Sequence, residues 1–515
     1  MPEPTSDGGP AEGEIARFEQ AGEQPFTPSG RPAPPSPRRA AIAWLVIGLV
    51  VLTMIVANTM LGEEGKPGDE SPVEQVVFNV QGRYLVGTMH SVGGLPGTDA
   101  FASQFERQLP DLNIGAVEQR LGAAVLTAEI IGPARAAELL NELAAEINQH
   151  DPDLSTIQQQ VLESVYELYL ADPGQPLASE AANPAERAGR LDDAARDRLA
   201  EQLGWLGRLA VHPEGGPDEA ARAELIQSAQ RVFWVVISGV TLVGLLAVAG
   251  LVGLIICTVL FAMKKQRMHF HPADGSRQVL YVETFAIWLV LFVAMQLVLA
   301  VVGGGLAMAA VAFFASLIAL AWPVVAGVDW ATIRKDAGMT LGRRPWLEPL
   351  AGLAAYAMTL PIVGIGLLAM FVLAWFASMM AGQPEPLAPS GGPAHPIVAE
   401  FANADWQAFA MLLFVGAVAA PIVEEIVFRG VLYQHLRSAT RHWTLLGSIV
   451  CSTAVNTFVF AAVHPQGIVA IPLLMSLAVG FTLVREWRGT VIPAIVMHAF
   501  SNGLILTLLF VVLNV

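Results

Sequence analysis

Cysteine is nearly absent. Only Cys257 and Cys451 occur among 515 residues, both inside apolar runs, which excludes a disulfide framework and a cysteine-based zinc site. No His-Glu-x-x-His is present, so the usual zinc-protease helix is missing. No Gly-x-Ser-x-Gly elbow presents a nucleophilic serine, and no glycine loop is built to cradle phosphate. Ser501 follows His498 by three residues, but its flanks Phe500 and Asn502 offer no such turn, and it reads as a packing serine. Charged residues make up only 14% of the chain against 54% hydrophobic, with a mean hydropathy of +0.52. That excludes an ordinary soluble protein and points to a polytopic membrane protein with one soluble part. A net charge of −16 argues against nucleic acid as a partner.

What is present divides the chain. Residues 1–40 are rich in Pro, Gly, Ser and Glu and read as a disordered tail. Residues 41–61 follow Arg38 and Arg39 and suffice for one spanning helix, read as a retained anchor rather than a signal peptide. Residues 62–230 hold 11 Lys and Arg against 28 Asp and Glu, a net charge of −17 that accounts for the acidity of the whole. Ala/Leu/Glu-rich segments at 134–149, 154–170 and 184–209 carry apolar residues at helical spacing, the last opening with Asn183 as N-cap and Pro184 at the first helical position. An acidic, mostly helical domain follows, with no fixed repeat; its isolated His90, His150 and His212 read as ordinary histidines.

Residues 231–382 read as membrane helices of unassigned role, 383–406 as an external Pro/Gly-rich linker, and 407–515 as the membrane domain holding the candidate chemistry. Spans fall near 232–263, 285–302, 306–328, 350–380, 407–432, 444–463, 468–484 and 491–513, nine with the anchor. The architecture expected is an all-α polytopic bundle. Lys264, Lys265, Arg267 and Arg277 share a side with Arg334, Lys335, Arg343 and Arg344, then Arg437 and Arg441, then Arg485 and Arg488; the alternate loops have no Lys or Arg. The positive-inside rule then makes the N-terminus cytoplasmic and puts 62–230 and the C-terminus outside a cell (inner) membrane.

Charge inside a span is expensive and marks function. Glu424 and Glu425 lie in such a run with Arg429. Glu425 and Arg429, four apart, can pair on one helix face, leaving Glu424 about 100° away and free to work as a general base. A structural ion pair locking helix packing is the plainer alternative. Two later spans bring His464, and His498 with Asn502 again four apart. An imidazole can take a proton from water, donate to an oxyanion or bind metal; an amide can donate to an oxyanion. Asn456 reads as an interhelical hydrogen bond.

Glu424-Glu425-Ile426-Val427-Phe428-Arg429, Phe460-Ala461-Ala462-Val463-His464 and His498-Ala499-Phe500-Ser501-Asn502, in this order, resemble the motifs of the type II CAAX prenyl endopeptidase family, which includes the bacterial CAAX protease and bacteriocin-processing proteins. The resemblance covers roughly residues 411–508 and breaks at no motif position. It implies an all-helical intramembrane endopeptidase acting on a membrane-tethered peptide or protein within the lipid bilayer. The positions of Glu424 and His464 would activate water, and those of His498 and Asn502 would hold the substrate carbonyl or oxyanion. No cofactor is favoured. Zinc is the alternative, with His464, His498 and Glu424 as its ligands, because the family has been called a metalloprotease family. The rivals are a non-catalytic scaffold or immunity-type protein and a proton-coupled transporter, although a relay would spread ionisable groups over more spans. The acidic domain is left as a surface for a protein partner.

Overall fold

The computed structural model describes residues 36–61, 72–93, 98–150, 154–176, 179–380 and 405–514. Among them all regular elements are helices, apart from an isolated bridge between Leu170 and Ala181. Nine helices among the described residues are long and apolar enough to cross a membrane, the number expected. The expected tail and linker fall almost wholly outside the described residues.

The acidic segment has a core of its own. Helices α2 (Pro72–Val92), α3 (Val117–Ile130), α4 (Thr156–Tyr169) and α5 (Trp205–Val211) bury Phe78, Leu121, Val125, Val165 and Leu206 together. A reciprocal capping box starts α4: Gln158 N donates to Ser155 Oγ, and Ser155 N to Gln158 Oε1. Asn183 does cap the next helix, accepting from Ala185 N. That helix covers only Pro184–Arg187, so the single segment expected at 184–209 is corrected to several short ones. Asp192 starts a second helix by accepting from Ala195 N. Gly204, at φ 61, then turns the chain before Trp205, a left-handed conformation that favours glycine.

The boundary placed at 231 is not a break. Helix α6 (Glu219–Ala262) runs 44 residues without interruption, or about 66 Å at the α-helical rise. A bilayer core needs only about 30 Å. The early turns of α6 pack against α2, and its later turns against α9 (Glu348–Met380), so one helix carries the acidic domain into the membrane. Gly250 permits this approach, since a Cβ there would sit 1.8 Å from Ala357 O.

Gly303, at φ 65, separates α7 (Gln278–Val302) from α8 (Leu306–Val325), so the two expected spans are indeed two. The N-terminal helix α1 (Pro37–Leu61) lies along α7 and shares its core: Ala43, Ile47 and Val51 join Tyr281, Phe285, Phe428, Phe460 and Met497 in one buried cluster. The last four spans, α10 (Trp406–Ala439), α11 (Leu445–Ala462), α12 (Ile471–Arg488) and α13 (Ile492–Asn514), complete the bundle, with α9 packed on α12 and α13.

Candidate active site

Helix α10 departs from α geometry twice, over Val415–Ala419 and Glu425–Leu432, where the turns widen to π-helical form. The first lies just ahead of Pro421, whose ring cannot donate a backbone hydrogen bond and would crowd the preceding turn of a regular helix. The second carries Glu425 and Arg429. In a wider turn each residue rotates less than about 100°, so four steps come closer to a full circle and align the pair better than an α-helix would. Gly430 lets this helix touch its neighbour, because a Cβ there would lie 2.8 Å from Ala337 O.

Glu425 and Arg429 are both fully buried, and Arg429 Nη1 donates to Glu425 Oε1 at 2.9 Å. Arg429 Nη2 also reaches Ala478 O at 3.3 Å, and the guanidinium lies over Phe460 and Phe481, 4.5 and 4.9 Å from their ring centres. The pairing read from the spacing is therefore formed. The same Glu425 Oε1 meets His498 Nδ1 at 2.9 Å. That fixes the proton of neutral His498 on Nδ1 and turns Nε2 the other way. His464 is arranged alike, with Nδ1 2.5 Å from Phe460 O. Phe481 stacks on the His498 ring at 4.7 Å and holds its plane.

Both free nitrogens converge on Glu424. Its Oε2 lies 3.8 Å from His464 Nε2 and 3.9 Å from His498 Nε2, too far for direct hydrogen bonds and within reach of one bridging water. That oxygen is buried and has no hydrogen-bond partner among the described residues. Asn502 shares this region through α13, but one hydrogen of its amide is committed, Nδ2 donating to Gly416 O at 2.8 Å. Five of the six sequence-selected residues thus form one contiguous group, and Asn502 follows His498 by one turn of α13 with its amide bonded to Gly416 O. A fixed Nδ1 with Nε2 free suits a proton carrier and a metal ligand equally well.

Residues 406–504 match the Type II CAAX prenyl endopeptidase Rce1-like family. They form a CAAX-endopeptidase-type domain. The membrane-embedded CAAX protease MroQ of Staphylococcus aureus (strain USA300) is 28% identical over 104 residues, which are 20% of this chain and 40% of that protein. The chain thus spans about two fifths of the length of that relative. No solved structure matches the chain.

Other buried polar residues brace the CAAX-endopeptidase-type domain. Asn456 was foreseen as an interhelical bond, and it donates to Phe428 O at 2.8 Å, tying α11 to the π-helical turn. Glu486 was not foreseen. It is buried, accepts from Tyr433 Oη at 2.8 Å and is paired with Arg437, which also reaches Ser448. Arg488 forks onto buried Glu348 with two bonds of 2.8 Å, joining α12 to α9. Both lie where basic residues were counted only as loop charge. The least expected contribution comes from outside the matched region: Asn58 on α1 donates from Nδ2 to His464 O at 3.0 Å. An Asn in an anchor helix carries no sequence signal of that kind.

Proposed function

We propose that this chain is an intramembrane endopeptidase that hydrolyses a peptide bond of a membrane-tethered peptide or protein. The observation that carries the reading is the convergence of His464 Nε2 and His498 Nε2 on a buried, unpartnered oxygen of Glu424. Family membership of residues 406–504 supports the reaction class.

In the reaction we infer, Glu424 takes a proton from a water that His464 helps to hold, and the water oxygen bonds to the scissile carbonyl carbon. The carbonyl electron pair moves to its oxygen. In its imidazolium form His498 would keep Nδ1–H on Glu425 and donate from Nε2–H to that oxyanion, beside the uncommitted amide hydrogen of Asn502; one such donor is typically worth about 2.7–4 kcal/mol. Collapse breaks the carbon–nitrogen bond, and the proton on Glu424 passes to the departing amine. A free acid and a free amine leave, and the site is restored.

Glu425 and Arg429 are positioning residues in this scheme, since neither needs to touch substrate. Zinc is the competing arrangement; there Glu424, His464 and His498 would be ligands. A glutamate mechanism without metal is favoured here because His498 Nδ1 is engaged by Glu425, and Asn502 is a poor ligand for zinc and a good donor.

The test is cleavage of a reconstituted membrane-tethered peptide. Glu424→Gln should abolish turnover and leave thermal stability near wild type, and chelator-treated wild type should keep its rate. Substantial activity in Glu424→Gln would end the assignment. Loss of activity on chelation with recovery on stoichiometric zinc would convert the histidines to ligands. Tight binding of the peptide without any cleavage would make the protein a scaffold.

A further inference from the structure

A polar cavity lies where the acidic domain meets the membrane helices. It has a volume of about 450 Å³ and sits between α2, α5, the first turns of α6 and the last turn of α13. Its walls include Arg83, Arg208, Arg231, Trp205, Glu224 and Asn514. The charge runs against its surroundings: three guanidiniums face one carboxylate, in a domain whose net charge is −17 over residues 62–230. Arg208 and Arg231 are exposed and have no ion-pair partner among the described residues.

Arg83 is the unusual member. It is only 8% exposed, and its one hydrogen bond among the described residues is a long one, Nη1 to Val512 O at 3.4 Å. Its Nε is buried without a partner. Burial, and then the like charges of Arg208 and Arg231, push its guanidinium down to about 10. A buried cation beside two like charges is costly unless an opposite charge offsets it, so the cavity is shaped for an anion.

Position identifies the anion. Arg231 is the last residue before the apolar run of α6, and Trp234, 57% exposed, follows within one turn. Arg and Trp at the start of an apolar run mark the interfacial plane, where lipid phosphates lie. Planar guanidinium forks match phosphate oxygens two at a time. Beyond Trp234, α6 exposes Val240 and Leu245, a surface along which acyl chains can run.

We propose that this cavity binds the phosphate of a phospholipid headgroup, and that the bound lipid fixes the acidic domain to the membrane surface. The proposal stands apart from the peptidase reading and uses none of its residues.

Native mass spectrometry of the full chain, released from neutral detergent with added phosphatidylglycerol, tests it. Wild type should retain one lipid tightly. The double variant Arg208→Gln/Arg231→Gln, which changes two exposed side chains, should bind it roughly tenfold or more weakly, as expected from loss of charge-assisted contacts. Circular dichroism and melting temperature like those of wild type would show that the variant folds. Equal lipid retention by the two proteins overturns the proposal. Inorganic phosphate that raises the wild-type melting temperature and displaces the lipid at comparable concentration would make the site one for free phosphate. Displacement by an acidic peptide alone, with no effect of phosphate, would make it a protein-docking site, and this too overturns the lipid assignment.

Discussion

Glu425 is the residue through which the others in the site are oriented. A single oxygen, Oε1, accepts from both Arg429 and His498, so the arginine also holds in place the carboxylate that aims the imidazole. Removing one member of a buried ion pair leaves the other charge without a partner, a change that typically costs about 3–5 kcal/mol. Arg429→Ala is accordingly expected to lower the melting temperature sharply, with activity lost as the fold is lost. Arg429→Lys keeps the charge but lacks the second nitrogen that reaches Ala478 O, and should fall between the two. Thermal unfolding of the three proteins in one detergent checks this. An Arg429→Ala protein as stable as wild type would mean that the pair contributes little to folding. The same measurement separates positioning from chemistry, because Glu424→Gln should lose turnover without this loss of stability.

Helix α1 contributes more than attachment to the bilayer. It packs along α7, buries Ala43, Ile47 and Val51 in the core that also holds Phe428 and Phe460, and sends Trp44 Nε1 to His435 Nε2 at 3.2 Å. Near its end, the Asn58 bond to His464 O holds the short loop between α11 and α12. A typical hydrogen bond contributes about 1 kcal/mol net, enough to let that loop shift and little enough to leave the bundle folded. Asn58→Ala should therefore reduce kcat several-fold with KM and melting temperature nearly unchanged. A rate equal to wild type would show that the loop holds His464 without help from α1. The π-helical turns of α10 belong to the same scale: they keep Pro421 inside the helix and align Glu425 with Arg429.

For the whole molecule, the distribution of charge predicts which side each part occupies. Basic loops alternate with loops free of Lys and Arg, so the acidic domain is expected outside and the loop carrying Leu341 in the cytoplasm. With Cys257 and Cys451 replaced, single cysteines at exposed Ala171 and Leu341 can be challenged with a membrane-impermeant thiol reagent on intact cells. Labelling at Ala171→Cys alone is the expected result, and labelling at Leu341→Cys alone reverses the topology. Acid should loosen the domain by a route that can be followed. Glu129 accepts from His90 at 3.0 Å and from Arg222 at 2.7 Å, joining α3 to α2 and to the start of α6. Burial alone would raise its pKa, but the hydrogen bonds and charges of those two partners outweigh burial and hold it below the ordinary 4.5. A carboxylate depressed in the folded state contributes stability that is fully present above its unfolded value and lost as pH falls through the folded one. Wild type should thus be more stable than Glu129→Gln at neutral pH, and the gap in melting temperature should close progressively below pH 4.5. A gap that is constant with pH would remove this role.

The number of spans, the acidic segment and the Glu425–Arg429 pair were legible in the sequence, because each depends on local quantities: the length of an apolar run, a charge count, a four-residue spacing. Asn183 and Pro184 likewise announced a helix start that the structure contains, although Asp192 and Gly204 ended the expected single helix early. The motifs also singled out the candidate site residues. The distances among them were not legible, since they depend on how α10, α11 and α13 pack. Only the tertiary structure could show that Glu425 serves Arg429 and His498 at once, or that Asn502 already spends one amide hydrogen on Gly416 O. The place of Asn58, more than 400 residues before its partner, was equally hidden, because a hydrogen bond to a backbone carbonyl asks nothing of the partner's side chain. Arg83, Arg208 and Arg231 look like scattered surface charge in sequence; the fold brings them together because α2, α5 and α6 pack around one cavity. Sequence determined which charges enter the membrane and which helices cross it, whereas packing decided which of those charges meet.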